Sequence, residues 1–156
     1  VCSSDLIERI FIHCTASSQS WGVDELKKEF KQKGWAHAGY HYVITKDGGI
    51  HQMEALETVA NGVKGYNDTA IHVAYVGGVM FDAKNKITSI AVDNRTDEQK
   101  ASLLKLVRIL KAKFPEAIVL GHRDISPDTN KNGKVDTWER IKECPSFDVQ
   151  TLVAEL

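Results

Sequence analysis

The chain has 156 residues, 42% of them hydrophobic, which is enough to bury one core without disulfide support. Its 20 lysines and arginines nearly balance its 21 aspartates and glutamates, which excludes a strong field that would recruit nucleic acid or an anionic membrane. No run approaches the roughly 20 apolar residues that a membrane helix needs. We therefore predict one domain with neither a nucleic-acid nor a membrane partner.

The first predicted elements are a core strand and an amphipathic helix. Residues 7–13 mix β-branched and aromatic side chains, which predicts a strand that delivers His13 to the edge of a sheet. Cys14 follows in the same strand, so its side chain points to the opposite face, and we interpret it as a buried core thiol. After a serine-rich loop, apolar residues at helical spacing predict a helix from about Val23 that Gly34 can end.

The middle of the chain is rich in β-forming residues. Residues 39–45 and 50–52 are separated by a glycine-containing turn and predict a hairpin. The continuous apolar run 71–79 predicts a strand buried on both faces. We interpret residues 81–94 as a variable surface excursion.

The last third contains two predicted helices and a strand between them. Thr96 begins a capping-box sequence, and apolar residues then recur at helical spacing toward Pro115. Residues 117–120 predict a short strand that leads into Gly121 and His122, and Ser146 is predicted to cap a closing helix. This alternation predicts an α/β fold, a single domain with a central mixed β-sheet flanked by helices on its faces.

Three scattered side chains fit a catalytic zinc site. Such a site takes three protein ligands and leaves the fourth position to water, and His13, His122 and Cys144 match that count. The two histidines lie at predicted strand ends and the cysteine just before a helix, where rigid elements can pre-organise them. No short signature ties the three together, so packed or solvated side chains are the alternative. The odd number of cysteines argues against a disulfide framework.

Motifs along nearly the whole chain carry a family resemblance. They are the segments 12–16 (IHCTA), 34–35 (GW) with 39–42 (GYHY), 64–67 (KGYN), 76–78 (VGG) and 144–148 (CPSFD). In this order they resemble the zinc-dependent N-acetylmuramoyl-L-alanine amidases, the type 2 amidase family. Within that family the chain is most similar to the amidase-type phage lysozymes, which are relatives of the peptidoglycan-recognition proteins.

The resemblance implies a site and a reaction. His13, His122 and Cys144 would bind Zn²⁺, with Tyr40 and Lys142 as catalytic residues beside the metal. The implied reaction hydrolyses the amide that joins the lactyl group of N-acetylmuramic acid to L-alanine in peptidoglycan. Zinc acidifies water, and a tyrosine or lysine can hydrogen-bond the oxyanion that develops. The group that passes a proton to the leaving amine stays open among Tyr40, Lys142 and the zinc-bound water.

The four remaining histidines receive no catalytic role. We interpret them as structural or groove-lining residues; they are His37, His41, His51 and His72. The close phage relatives carry a histidine just before the Lys-Gly-Tyr-Asn segment, where this chain has Gly62. Groove contacts and peptide preference are therefore expected to differ there.

Residues 128–139 (DTNKNGKVDTWE) match the calcium-loop pattern D-x-[DN]-x-[DN]-G-x5-E. Oxygen ligands of an EF-hand-like loop would come from Asp128, Asn130, Asn132, the Lys134 carbonyl, Asp136 and Glu139. The alternative is an ordinary surface loop, since these residue types are common in loops and no helical pattern leads into the segment. We predict Ca²⁺ or a similar hard cation here, as a clip that orders Lys142 and Cys144.

Residues 1–156 are thus interpreted as one amidase domain with this loop inserted. The main alternative is a non-catalytic module that recognises peptidoglycan or muropeptide, which the presence of Cys144 disfavours. A structural zinc site would close with a fourth Cys or His. With no signal peptide visible, we expect a monomeric endolysin in the host cytoplasm until its release to the cell wall; bacterial recycling and toxin roles would use the same domain.

Overall fold

The computed structural model describes residues 7–56, 58–62, 67–81, 84, 86–125 and 144–156. The elements in chain order are β1 (Arg9–Cys14), α1 (Val23–Gln32), β2 (Tyr42–Ile44), β3 (Ile50–Gln52), β4 (Ala70–Tyr75), β5 (Val79–Phe81), β6 (Ile87–Ala91), α2 (Asp97–Lys113), β7 (Ile118–Gly121) and α3 (Val149–Val153). Short 3-10 helices span Asn67–Thr69 and His122–Ile125. No helix in these ranges is long and apolar enough to cross a membrane.

Five strands form one mixed sheet in the order β3-β2-β4-β1-β7. The contacts of β2 with β4, β4 with β1 and β1 with β7 are parallel, and β3 pairs with β2 in antiparallel register. Every residue of β4 is buried, as a central parallel strand requires. The predicted mixed sheet is confirmed.

Helices cover both faces of this sheet. On one face α2 and α3 pack against β1, β4 and β7, and the apolar side chains of Leu103, Leu110 and Leu152 belong to this cluster. On the other face α1 inserts Leu26 and Phe30 against the sheet. This layering follows from the amphipathic pattern of each helix, because its apolar stripe has to be buried against a neighbour.

One buried amide ties α2 to two strands. The predicted capping box is present: the Gln99 backbone N–H donates to the Thr96 side chain, and the Gln99 side chain accepts from the Thr96 N–H. The side-chain NH2 of Gln99 donates to the carbonyls of Ile44 and Val76, at 3.1 and 3.0 Å. The start of α2 is thus fixed over the ends of β2 and β4.

Two local predictions are wrong, and one is incomplete. The run 71–79 is not one strand: β4 ends at Tyr75, because Gly77 and Gly78 adopt φ values of +136° and +96° that extended strands do not use. The surface excursion contains an antiparallel pair, β5 with β6. Asp148, not Ser146, caps α3, since Asp148 accepts the Gln150 N–H while the Ser146 hydroxyl donates to the Gly78 carbonyl.

Candidate metal centre

Two of the predicted ligands leave the carboxyl ends of neighbouring parallel strands. The register of β1 with β7 pairs Ile12 with Gly121, so the next residues along the chain, His13 and His122, lie side by side. Their rings are 5.2 Å apart at 80°. The carboxyl edge of parallel strands is where α/β folds commonly bind ligands.

The third predicted ligand is held by the turn that precedes α3. The Arg123 N–H donates to the Cys144 carbonyl at 2.7 Å, and the Tyr75 hydroxyl donates to the Pro145 carbonyl at 2.6 Å. A Cβ on Gly121 would lie 2.7 Å from Pro145 Cδ, so only glycine allows this close approach. These contacts bring Cys144 to the two histidines.

The geometry of the three side chains fits zinc. One ligand atom from each of His13, His122 and Cys144 lies within 4.8 Å of the others. His13 Nδ1 is 3.6 Å from Cys144 Sγ. A tetrahedral ion with Zn–N of about 2.0–2.1 Å and Zn–S of about 2.3 Å separates such atoms by about 3.6 Å. Within the described ranges, this is the one cluster of three or more His, Cys, Asp or Glu side chains so arranged.

Cys14 touches this centre without joining the cluster. Cys14 is only 5% exposed, which agrees with the predicted buried thiol. Its backbone N–H donates to Cys144 Sγ at 3.3 Å, a contact that stabilises a thiolate. The pKa of Cys14 is lowered to about 7, chiefly by its hydrogen bond with the Cys144 side chain and against the effect of burial.

His72 contacts a predicted ligand from the neighbouring strand. Its Nδ1 lies 2.9 Å from His13 Nε2, and both side chains are buried. Burial, together with smaller effects of the nearby His41 and His122, lowers the pKa of His72 to about 3, so the ring is neutral. The sequence analysis gave His72 no role beyond structure or groove lining. The missing signal is the pairing of β1 with β4, which sequence pattern does not reveal.

Tyr40 lies beside the cluster, just before β2. Its ring packs edge-on against Phe30 and lies 5.2 Å from the His13 ring. Its hydroxyl donates a long hydrogen bond, 3.5 Å, to the Cys14 carbonyl. Burial raises the pKa of Tyr40 well above its ordinary value, and Cys144 adds to this effect. The phenol therefore stays protonated and can act as a hydrogen-bond donor.

A cleft of about 280 Å³ opens over this group. His13, His122, Cys144 and Tyr40 all line it, and the further walls include the aromatic rings of Phe30 and Trp35, the Glu29–Lys33 pair and Gly62. A cleft of this kind can hold a small part of a polymeric substrate against the three candidate ligands.

The remaining predicted residues divide into two groups. His37 and His51 lie away from the cleft, beside Glu54 and Thr45 respectively. Outside the described residues are Lys142 and the predicted calcium ligands, namely Asp128, Asn130, Asn132, Lys134, Asp136 and Glu139. The roles of this second group stay predictions.

Comparisons with known proteins give one consistent result. A family profile described as N-acetylmuramoyl-L-alanine amidase matches residues 3–139. The endolysin of Enterobacteria phage K11 is 33% identical over 147 residues, which cover 93% of this chain and 84% of that protein. Among solved structures, the amidase LysC from Clostridium intestinale URNW superposes with a TM-score of 0.71 at 23% identity, covering 98% of this chain and 87% of LysC. PGRP-SA of Apis mellifera gives 0.65 at 18% identity, covering 92% and 81%.

Proposed function

The chain belongs to the N-acetylmuramoyl-L-alanine amidase family, and on this premise we propose that it is a zinc-dependent hydrolase of peptidoglycan. The bond cleaved is the amide between N-acetylmuramic acid and L-alanine, so the stem peptide leaves the glycan. The observation that carries the zinc proposal is the convergence of His13, His122 and Cys144 in one cleft with Tyr40.

Each side chain has a distinct task in this proposal. His13 Nδ1, a ring nitrogen of His122 and Cys144 Sγ hold the metal, and the Cys14 N–H stabilises the thiolate. A bound zinc ion supplies the Lewis acidity that makes water acidic enough to attack an amide at neutral pH.

Tyr40 donates its O–H to the oxyanion that develops on the scissile carbonyl. Its raised pKa supports this task, because a phenol that keeps its proton is a donor at neutral pH and is not available as a base. Lys142 is proposed as a second helper from the motif alone.

The test combines metal analysis with an assay for new L-alanine amino termini on purified peptidoglycan. Wild type is expected to carry stoichiometric zinc and to release amino termini, whereas Cys144→Ser loses both. Cys14→Ala is the matched control, since its backbone N–H still reaches Cys144 Sγ, and it is expected to keep its zinc. Wild type that carries zinc but releases no amine would favour the alternative of a non-catalytic recognition module.

A hard cation, Ca²⁺ or one like it, at residues 128–139 is a separate part of the proposal. The complete loop pattern supports it, and the segment continues directly to Lys142 and Cys144. Glu139→Ala removes the bidentate ligand and is expected to make activity depend more strongly on added calcium. Unchanged activity and melting temperature of wild type under calcium-selective chelation would contradict a structural role for calcium.

The endolysin relatives support a proposal for the biological setting. We propose peptidoglycan or a muropeptide as the substrate, a monomer as the active form, and action at the cell wall after release from the host cytoplasm. Light scattering tests the proposed monomer, because it measures the molar mass of the protein in solution.

A further inference from the structure

The hydrogen bond between His13, near the carboxyl end of β1, and His72, in β4, joins two adjacent strands through residues 59 positions apart. We propose that His72 is a positioning residue for the metal centre, which accepts the His13 Nε2–H and so holds His13 in the tautomer whose Nδ1 can bind the metal. This inference rests on the proposed zinc site and concerns how His13 is pre-organised for metal binding.

The tautomers of the two rings are linked by proton counting. A neutral imidazole has one N–H and one bare nitrogen, and only the bare nitrogen can bind a metal. Nδ1 of His13 faces Cys144 Sγ, so metal binding there requires the proton to be on Nε2. Nε2 faces His72 Nδ1 at 2.9 Å, which must then be the bare nitrogen of His72. If His72 instead carried its proton on Nδ1, His13 would have to accept it and would lose its metal-binding nitrogen.

The His72 ring is fixed in the orientation that this bond needs. It stacks on Phe11 at 5.5 Å and 8° and on His41 at 5.9 Å and 3°. The His72 backbone N–H donates to Nδ1 of His41. The other ring nitrogen of His41, Nε2, lies 2.7 Å from the Thr58 carbonyl. The ring is fully buried, and within the described ranges its Nε2 has no hydrogen-bonding partner. Among the described residues, the His72 side chain thus makes its hydrogen bond through Nδ1, to His13, and none through Nε2.

Gly62 lies directly against this ring. A Cβ at Gly62 would lie 2.2 Å from His72 Nδ1 and 2.5 Å from its Cγ, so any other residue here would push the ring away. Glycine at this position therefore makes room for a histidine at position 72. The departure noted in the sequence at Gly62 and the presence of His72 belong to one packing arrangement.

His72 is an unusual hydrogen-bond partner for a metal-binding histidine. Metal-bound histidines commonly donate to a carboxylate, a backbone carbonyl or water, and loss of such partners typically lowers metal affinity about 10–100-fold. A neutral imidazole orients His13 as these groups do, but without adding a negative charge beside the site. His72 therefore sets the tautomer and the ring angle of His13 and leaves the net charge of the ligand set unchanged.

The test compares two variants of similar shape. In His72→Asn the side-chain Oδ1 takes the place of Nδ1 and can accept from His13, whereas His72→Leu has the same branched outline without an acceptor. Zinc affinity is measured by chelator competition on the folded proteins. We expect His72→Leu to bind zinc about 10–100-fold more weakly than wild type and His72→Asn to recover most of the loss.

Two outcomes of this comparison would overturn different claims. Equal zinc affinities for the Asn and Leu variants would overturn the positioning role alone. Wild type that binds no zinc would overturn the metal centre of the proposed function, and the positioning role with it. The melting temperatures of the metal-free variants are expected to be similar, because both lose the same ring packing.

A measurement on wild type keeps the inference testable if the variants do not fold. Long-range proton–nitrogen NMR correlations of ¹⁵N-histidine-labelled protein distinguish the two neutral tautomers. In the zinc-loaded protein we expect the Nε2–H form for both His13 and His72. A proton on Nδ1 of His72 would overturn the proposal.

Gly62 provides a further variant. Gly62→Ala is expected to weaken zinc binding because its methyl group displaces the His72 ring, while Gly22→Ala, whose Cβ would meet its nearest neighbour at 3.5 Å, is not. In a His72→Ala background the ring atoms that the methyl group would meet are gone, so the effect of Gly62→Ala should shrink. Full additivity of the two substitutions would contradict the shared packing.

Discussion

At the scale of single residues, the ring of Tyr40 contributes to packing, while its hydroxyl contributes little to the fold. Phe30 and the His13 ring hold its aromatic ring beside the predicted ligands, and neither contact uses the hydroxyl. The hydroxyl makes one long hydrogen bond, to the Cys14 carbonyl at 3.5 Å, which contributes little to stability. Its position in the cleft is therefore better explained by a contact with substrate than by the fold.

Tyr40→Phe is accordingly expected to affect the rate and little else. Removal of one oxyanion donor lowers kcat by about 10²–10³-fold, while zinc affinity and melting temperature stay close to wild type. The measurement is steady-state hydrolysis of soluble muropeptide. Tyr42→Phe is the control and should keep its kcat. Tyr42 lies in β2 and packs against the apolar cluster that contains the side chains of α2 and α3. An unchanged kcat in Tyr40→Phe would remove the donor role.

At the scale of secondary-structure elements, the sheet end that bears the site depends on α2. The buried amide of Gln99 supplies hydrogen bonds to the carbonyl of Ile44, the last residue of β2, and to that of Val76, just after β4. The Ile44 carbonyl also accepts the Val76 N–H at 2.9 Å, so the Gln99 amide joins α2 to the last hydrogen bond between the two strands. Buried carbonyls without a partner are strongly unfavourable.

Gln99→Glu tests this link with a side chain of the same shape. The carboxylate has no N–H to donate and directs negative charge toward two carbonyl oxygens. Loss of the donor to the buried Val76 carbonyl costs about 1–3 kcal/mol. The buried charge that faces two carbonyl oxygens adds to this cost, so a loss of several kcal/mol in the free energy of unfolding is expected in urea titrations at neutral pH. Gln150→Glu, near the start of α3 on an exposed position, should change stability little. Similar stabilities of the two variants would show that α2 is held by its apolar face alone.

At the scale of the whole molecule, the proposed metal ligands connect distant parts of the chain. His13 belongs to the first strand, His122 follows the last strand, and Cys144 precedes the last helix. A metal that binds all three would therefore cross-link the sheet to the C-terminal segment. Because it would bind the folded chain in preference to the unfolded one, its free energy of binding would add to stability.

Removal of zinc is expected to lower the melting temperature. A ligand at about a thousand times its Kd stabilises by about 4 kcal/mol, which corresponds to a shift on the order of 10 °C for a chain of this size. Calorimetry with and without a zinc chelator measures the shift. In Cys144→Ser the two curves should coincide. A chelator effect of equal size in that variant would place the stabilising metal elsewhere.

The sequence alone determined most of the elements and the identity of the candidate ligands. Apolar periodicity gave the first strand and α2 because these patterns are local, and the ordered motifs led to the amidase family, which the comparisons confirm. Asp148 at the cap of α3 and the pairing of β5 with β6 escaped because several polar residues can cap a helix and weak strands lack a pattern. Only the tertiary structure decided that His72 meets His13. That contact depends on the parallel register of two strands far apart in sequence, which local pattern does not encode.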